Sequence, residues 1–216
     1  LNPFRKLRIR FKEPYVLPTV MTCNEVKEIL KYLYKLRADN PDTGGYAYKA
    51  QTRDIAVVEL LFATGIRVSE LCELSCDAVD LKQATIKVFG KGSKERVIQI
   101  CSVEVLKILR QYQRLFAPSK CFFINRLGNR LSSQSVRLLI KRCREEIGIG
   151  KKITPHTFRH TFATLLLEED VDIKYIQNLL GHSSITTTQI YTHVNMNKQK
   201  KILSSKHPRK KMEMEE

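Results

Sequence analysis

One short stretch of this chain has the composition of a sheet, and it limits the whole fold. Thr85–Phe89 and residues 96–100 are β-prone runs rich in branched and aromatic side chains. Gly90-Lys91-Gly92-Ser93-Lys94-Glu95 joins them, so the spacing predicts an antiparallel hairpin with a basic tip. A further short strand is expected at residues 121–124, before a turn over Leu127-Gly128-Asn129. The other long apolar patterns repeat with a helical period. The chain is therefore expected to be mainly α with a small antiparallel β-sheet, an α+β arrangement.

The helices announce their ends. Thr22 and Glu25 form a capping-box pattern ahead of Val26, Ile29, Leu30 and Leu33. Residues 38–52 (ADNPDTGGYAYKAQT) read as a long polar loop, and a strongly apolar helix follows over 54–64. Gly65 stops that helix, and a short one is expected over 68–74. Ser102 can cap a helix to about Phe116, and Ser132 or Ser133 one to Glu146. Thr154-Pro155 is a cap followed by a first-position proline for a helix from His156 to about Glu168. Asp172 can open a helix that Gly181 closes, and Ser184 a last one near Tyr191.

Charge narrows the partners. Among 216 residues, 38 Lys and Arg face 22 Asp and Glu, a formal net charge of +16. Such an excess points to a polyanion, with nucleic acid ahead of an anionic membrane. No lipidation signal, basic amphipathic helix or long apolar run supports a membrane role. Nor does an N-terminal apolar segment resemble a signal peptide, and the chain is expected to be cytoplasmic. Residues 1–20 form a basic arm with Arg5, Lys6, Arg8, Arg10 and Lys12, and residues 195–216 a basic tail that ends in glutamates. Cys72 and Cys76 with His156 and His160 have the donor types for zinc, but the pairs are some eighty residues apart. All six cysteines are read as reduced core thiols, with no metal site.

Breaking a phosphodiester without a metal requires neutralised non-bridging oxygens, an in-line nucleophile and an acid for the leaving oxygen. Two arginines occupy unusual settings for such work: Arg67 in TGIRVSEL, at a break between helices, and Arg159 in TPHTFRHTFA, one turn from His156. Taken singly, His156 reads as a helix-cap histidine, His182 as a dipole partner at a helix end, and Tyr191 as a half-buried aromatic. His160 and His193 keep such plain readings, and Phe158 and Phe162 read as core packing.

Together, TGIRVSEL, the GKGSKER hairpin, HTFRH, LLGHSSITTT and a tyrosine nine residues after that Gly-His resemble the catalytic domain of tyrosine recombinases, most nearly the Xer and phage-integrase type. The resemblance runs from about Pro18 to His193. It implies a site-specific DNA recombinase of the integrase or transposase type, acting without metal, ATP or other cofactor. In the roles it implies, Arg67 and Arg159 clamp the scissile phosphate and Lys91 protonates the leaving 5′ oxygen, with Lys94 a rival acid three residues on. His156 and His182 bond the phosphate or move protons, and Tyr191 becomes the 3′-phosphotyrosine. Lys94, Arg96, Arg137, Lys141 and Arg142 are expected to meet DNA.

Residues 21–194 would then be the catalytic domain, residues 1–20 an interdomain linker, and residues 195–216 a segment that docks on a neighbouring protomer through Ile202 and Leu203. Full-length members of the family carry a further N-terminal helical domain that closes around DNA, and they work as homotetramers on two paired duplex sites. A fragment without that domain is expected to bind DNA weakly and with little selectivity. The 38–52 loop is longer than in Xer-like enzymes. A type IB-like topoisomerase shares the tyrosine, both arginines and the lysine, although lysine usually stands there in place of His156. A DNA-binding regulator that has lost catalysis is the alternative outside enzymes.

Overall fold

The computed structural model describes residues 18–89 and 95–181. Its elements run α1 (Cys23–Ala38), α2 (Tyr46–Thr64), α3 (Val68–Glu73), β1 (Val79–Asp80), β2 (Thr85–Phe89), β3 (Glu95–Gln99), α4 (Val103–Phe116), α5 (Ser133–Ile147), α6 (Pro155–Glu168) and α7 (Ile173–Leu180). A helical domain with one small antiparallel sheet is what the patterning predicted.

Helix α2 is the axis of the domain. Ile55, Ala56, Val57, Val58, Leu60 and Leu61 are wholly buried, so it is apolar nearly all round and must be covered on every side. Helices α1, α4, α5 and α6 pack against it. Beside them, Tyr112 of α4 is wholly buried against Phe122 and Phe123. A second, smaller core of Ala163, Ile176 and Leu180, with Phe162 and Val171 against it, joins α7 to α6.

The caps act as the sequence indicates. The Thr22 hydroxyl accepts from Glu25 N at 3.2 Å while Glu25 Oε2 accepts from Thr22 N at 2.7 Å. Such a cap contributes about 1 kcal/mol. Ser102, Ser132, Thr154 and Asp172 each accept a hydrogen bond from the first turn of their helices.

Three expectations change. The long loop over 38–52 shrinks to residues 39–45, because α2 starts at Tyr46 and runs 19 residues. The Asp42 carboxylate accepts from Gly44 N and Gly45 N, which turns the chain tightly enough for the helix to begin at once. The sheet gains a third strand: β1 pairs with β2, giving the order β1-β2-β3. The strand expected at 121–124 forms only isolated bridges, Ser75 to Cys121 and Ile124 to Arg130. There the Tyr112 hydroxyl donates to Phe122 O and accepts from Ile124 N, so a side chain replaces a neighbouring strand. The cysteine reading holds for Cys72 and Cys143, which are buried; Cys76 and Cys121 are half-buried, and Cys23, at the start of α1, and Cys101, between β3 and α4, are exposed.

Among the described residues no helix is long and apolar enough to cross a membrane. The basic arm, Lys91, Lys94, His182, Tyr191, the helix expected from Ser184 and the basic tail all lie outside the described residues.

Candidate active site

Arg67 owes its position to the way α2 stops. Gly65 takes the left-handed conformation at φ 60° and its N–H donates to Leu61 O. A side chain there would meet Phe162 Cδ1 at 2.6 Å and Leu180 Cδ2 at 2.8 Å, so glycine is required twice over. Ile66 is buried as an anchor, and Arg67 then caps α3 with extended backbone. Three residues on, Glu70 closes the back half of a capping box by accepting from Arg67 N at 2.9 Å.

Arg159 comes from α6, whose start is set by Thr154 and Pro155. It is buried. Its Nη1 donates to Gly65 O at 2.8 Å and its Nη2 to Leu180 O at 2.7 Å. Arg67 Nη2 donates to the next carbonyl, Gly181 O, at 3.2 Å. Two guanidinium groups from separate elements therefore reach consecutive carbonyls at the C-terminal end of α7. That end carries partial negative charge, so it is a natural partner for cations.

His156 is exposed in the first turn of α6, one turn before Arg159. Its pKa lies below the ordinary imidazole value, first through partial burial and then through the positive charge of Arg159, Arg137 and Arg67. Those influences place all three guanidinium groups within electrostatic reach of one imidazole. A cavity of about 230 Å³ opens beside it, lined by Pro18, Thr19, Lys152, Thr154, His156, Thr157 and His160. His160 is likewise lowered, by burial, by His156 and by Arg159.

The structure thus brings together Arg67, Arg159 and His156, three of the six expected catalytic residues; the other three lie outside the described residues. Of the expected DNA contacts, Arg137 is exposed near His156. Lys141 is exposed and lies 3.9 Å from Glu145. Arg142 is drawn to the buried Asp54 at 3.4 Å. Arg96 differs most from its expected place, because both of its Nη groups bond Glu70 rather than facing outward.

Glu70 is the residue that sequence reasoning missed. Its carboxylate is buried among Arg67 and Arg96. Burial alone would raise its pKa, but hydrogen bonds from Arg96 and from the backbone and side chain of Arg67 hold it down at about 2. A glutamate three residues after an arginine at a helix break was the available signal. No group of acidic, histidine or cysteine side chains suited to a metal ion occurs among the described residues.

Comparison with known proteins gives the family. The family model described as the phage integrase family matches residues 19–198. A tyrosine recombinase from Agathobacter rectalis is 50% identical over 213 residues, covering 97% of this chain and 69% of that protein. Among solved structures, the XerA recombinase is 32% identical with a TM-score of 0.73, covering 90% of this chain and 67% of the other. The XerH site-specific recombinase, bound to a palindromic difH substrate after cleavage, is 25% identical with a TM-score of 0.74, covering 88% and 54%. The chain spans between half and about two thirds of the length of these relatives.

Proposed function

This chain belongs to the phage integrase family of site-specific DNA recombinases, as a tyrosine recombinase catalytic domain, and from that premise we propose that Tyr191 cleaves duplex DNA while Arg67 and Arg159 hold the phosphate it attacks. The observation that carries the reading is the meeting of the two guanidinium groups at Leu180 O and Gly181 O, with His156 in their field.

The tyrosyl oxygen attacks phosphorus and the 5′ oxygen leaves, which gives a 3′-phosphotyrosine and a free 5′ hydroxyl. Negative charge on the two non-bridging phosphate oxygens grows during this step, and paired planar cations offset it. A free tyrosine has a pKa near 10, so only about one in a thousand is ionised at pH 7. His182 accepts the tyrosyl proton as the bond forms, His156 donates a hydrogen bond to the phosphate, and Lys91 supplies a proton to the leaving oxygen. The phosphotyrosine conserves the bond energy, so the 5′ hydroxyl of the partner strand rejoins the chain by the reverse step without ATP.

Residues 1–20 serve as a linker and residues 21–194 as the catalytic domain. The tail over 195–216 docks on the next protomer of a tetramer that holds two duplex sites. A pool of duplexes randomised on both sides of a nick tests the central step, since the nick lets the short leaving strand diffuse away. Wild type should form an adduct with DNA that survives denaturation, and Tyr191→Phe should form none. An adduct from the phenylalanine variant would place the nucleophile elsewhere.

A further inference from the structure

A basic residue on a hairpin with a basic tip invites a DNA role, but the surroundings of Arg96 assign it another. Resting on the reading of Arg67 as a phosphate ligand, we propose that Arg96 is a positioning residue: through Glu70 it sets the guanidinium of Arg67 for the scissile phosphate.

The arrangement around Glu70 is reciprocal. Oε1 accepts from Arg96 Nη1 at 2.9 Å and from Arg67 Nη1 at 2.7 Å. Oε2 accepts from Arg96 Nη2 at 2.8 Å and from Arg67 N at 2.9 Å. Each carboxylate oxygen thus takes one bond from each arginine. Arg67 reaches the two oxygens with one flexible side-chain donor and one backbone donor, whereas the planar fork of Arg96 meets both in parallel and fixes the carboxylate plane that aims the Arg67 side chain. The side chains are graded in exposure, at 32% for Arg67, 14% for Arg96 and 4% for Glu70. Arg67 faces outward and Arg96 stands behind it.

Charge gives a second reason for Arg96. Glu70 alone would cancel the charge of Arg67 and compete with an incoming phosphate for it. With Arg96 present the triad keeps a net positive charge, and Arg67 retains its attraction for an anion. Arg96 also lies against the turn that ends α7. A Cβ on Gly181 would fall 2.8 Å from Arg96 Nη1 and 3.1 Å from its Cζ, and Gly181 O is the carbonyl that Arg67 touches. One side chain on β3 therefore backs both the guanidinium and the carbonyl in front of it.

Two variants separate this role from its rivals. Arg96→Lys keeps the charge and loses the fork. Arg96→Met combined with Glu70→Gln removes both charges, so no unpaired buried carboxylate is left to unfold the protein. Cleavage of the nicked duplex pool is followed in a single turnover at saturating DNA, and affinity is measured alongside. Both variants should cleave about 10²-fold more slowly, the cost of a misplaced reacting group, with affinity changed by less than about threefold. The phosphate that wild type attacks is mapped from its adduct, and one such duplex is then made with a methylphosphonate at that intact linkage, close to the nick but not at it. That linkage is neutral and makes less demand on a guanidinium, so the gap between wild type and Arg96→Lys should narrow at least about tenfold.

Loss of affinity with a normal rate at saturation would make Arg96 a DNA ligand and overturn the proposal. An equal deficit on the neutral linkage would overturn it as well, since general disruption does not distinguish the two substrates. Arg67→Lys is the control for the premise. If it cleaves normally, the reading of Arg67 fails; if it is slow while both Arg96 variants are normal, only the positioning role fails.

Discussion

His156 titrates in the company of cations. Partial burial, then Arg159, Arg137 and Arg67, hold its pKa below 6.5, so the free protein carries it neutral at pH 7. Groups around it comprise those three arginines, His160 and, lining the same cavity, Lys152. A phosphate entering this field offsets the guanidinium charge, and the imidazole pKa rises. DNA binding then takes up a proton. Affinity should therefore increase as pH falls from about 8 to about 6 at fixed salt, by up to about tenfold for each unit that the phosphate raises the pKa. Without DNA the sign for stability is the reverse. The folded protein binds fewer protons than the unfolded chain near pH 6.5, so this group disfavours folding progressively as pH falls through that value. Affinity titrations of wild type and His156→Gln across this range provide the check. An identical pH dependence in both would remove His156 from the phosphate site.

At the scale of elements, the break between α2 and α3 organises the site, and Gly65 makes the break. Its backbone is left-handed, and Phe162 and Leu180 close over it at distances no Cβ can share. Replacing it by alanine should cost about 1–3 kcal/mol, from φ strain and from overpacking the small core that holds α7. Urea unfolding of Gly65→Ala reads this directly, and a loss under about 0.5 kcal/mol would mean the close approach is wrong. The break was legible in the sequence because a glycine after an apolar helix is a local signal. So were the caps at Thr22, Ser102, Ser132 and Thr154, each read within one turn of the chain. What escaped depends on distant partners. The start of α2 at Tyr46 was hidden by the polarity of its first turns, where Tyr48 accepts a hydrogen bond from Gln111. The segment over 121–124 has strand composition, but a tyrosine from α4 occupies its backbone groups. Arg67, Arg159 and His156 were found by motif and Glu70 left a local capping-box spacing, whereas the true partner of Arg96 needed the fold to bring α3 beside β3.

For the molecule as a whole, +16 of formal charge is a statement about affinity rather than site choice. Counterion release makes each neutralised phosphate contribute about −0.9 to the slope of log affinity against log salt, and about six to ten such contacts weaken binding about 10³–10⁵-fold between 50 and 200 mM. Not every basic residue should contribute. Arg137 is exposed beside His156, whereas Arg96 is turned inward and neutralised by Glu70. Arg137→Ala should therefore flatten the slope by about one unit, almost irrespective of DNA sequence, and Arg96→Lys should leave it unchanged. Salt titrations of the two variants on one duplex set these roles against each other. A flattened slope for Arg96→Lys would show that the fork reaches DNA after all. An unchanged slope for Arg137→Ala would confine that arginine to tuning His156, and would move the phosphate path to other basic residues of the chain.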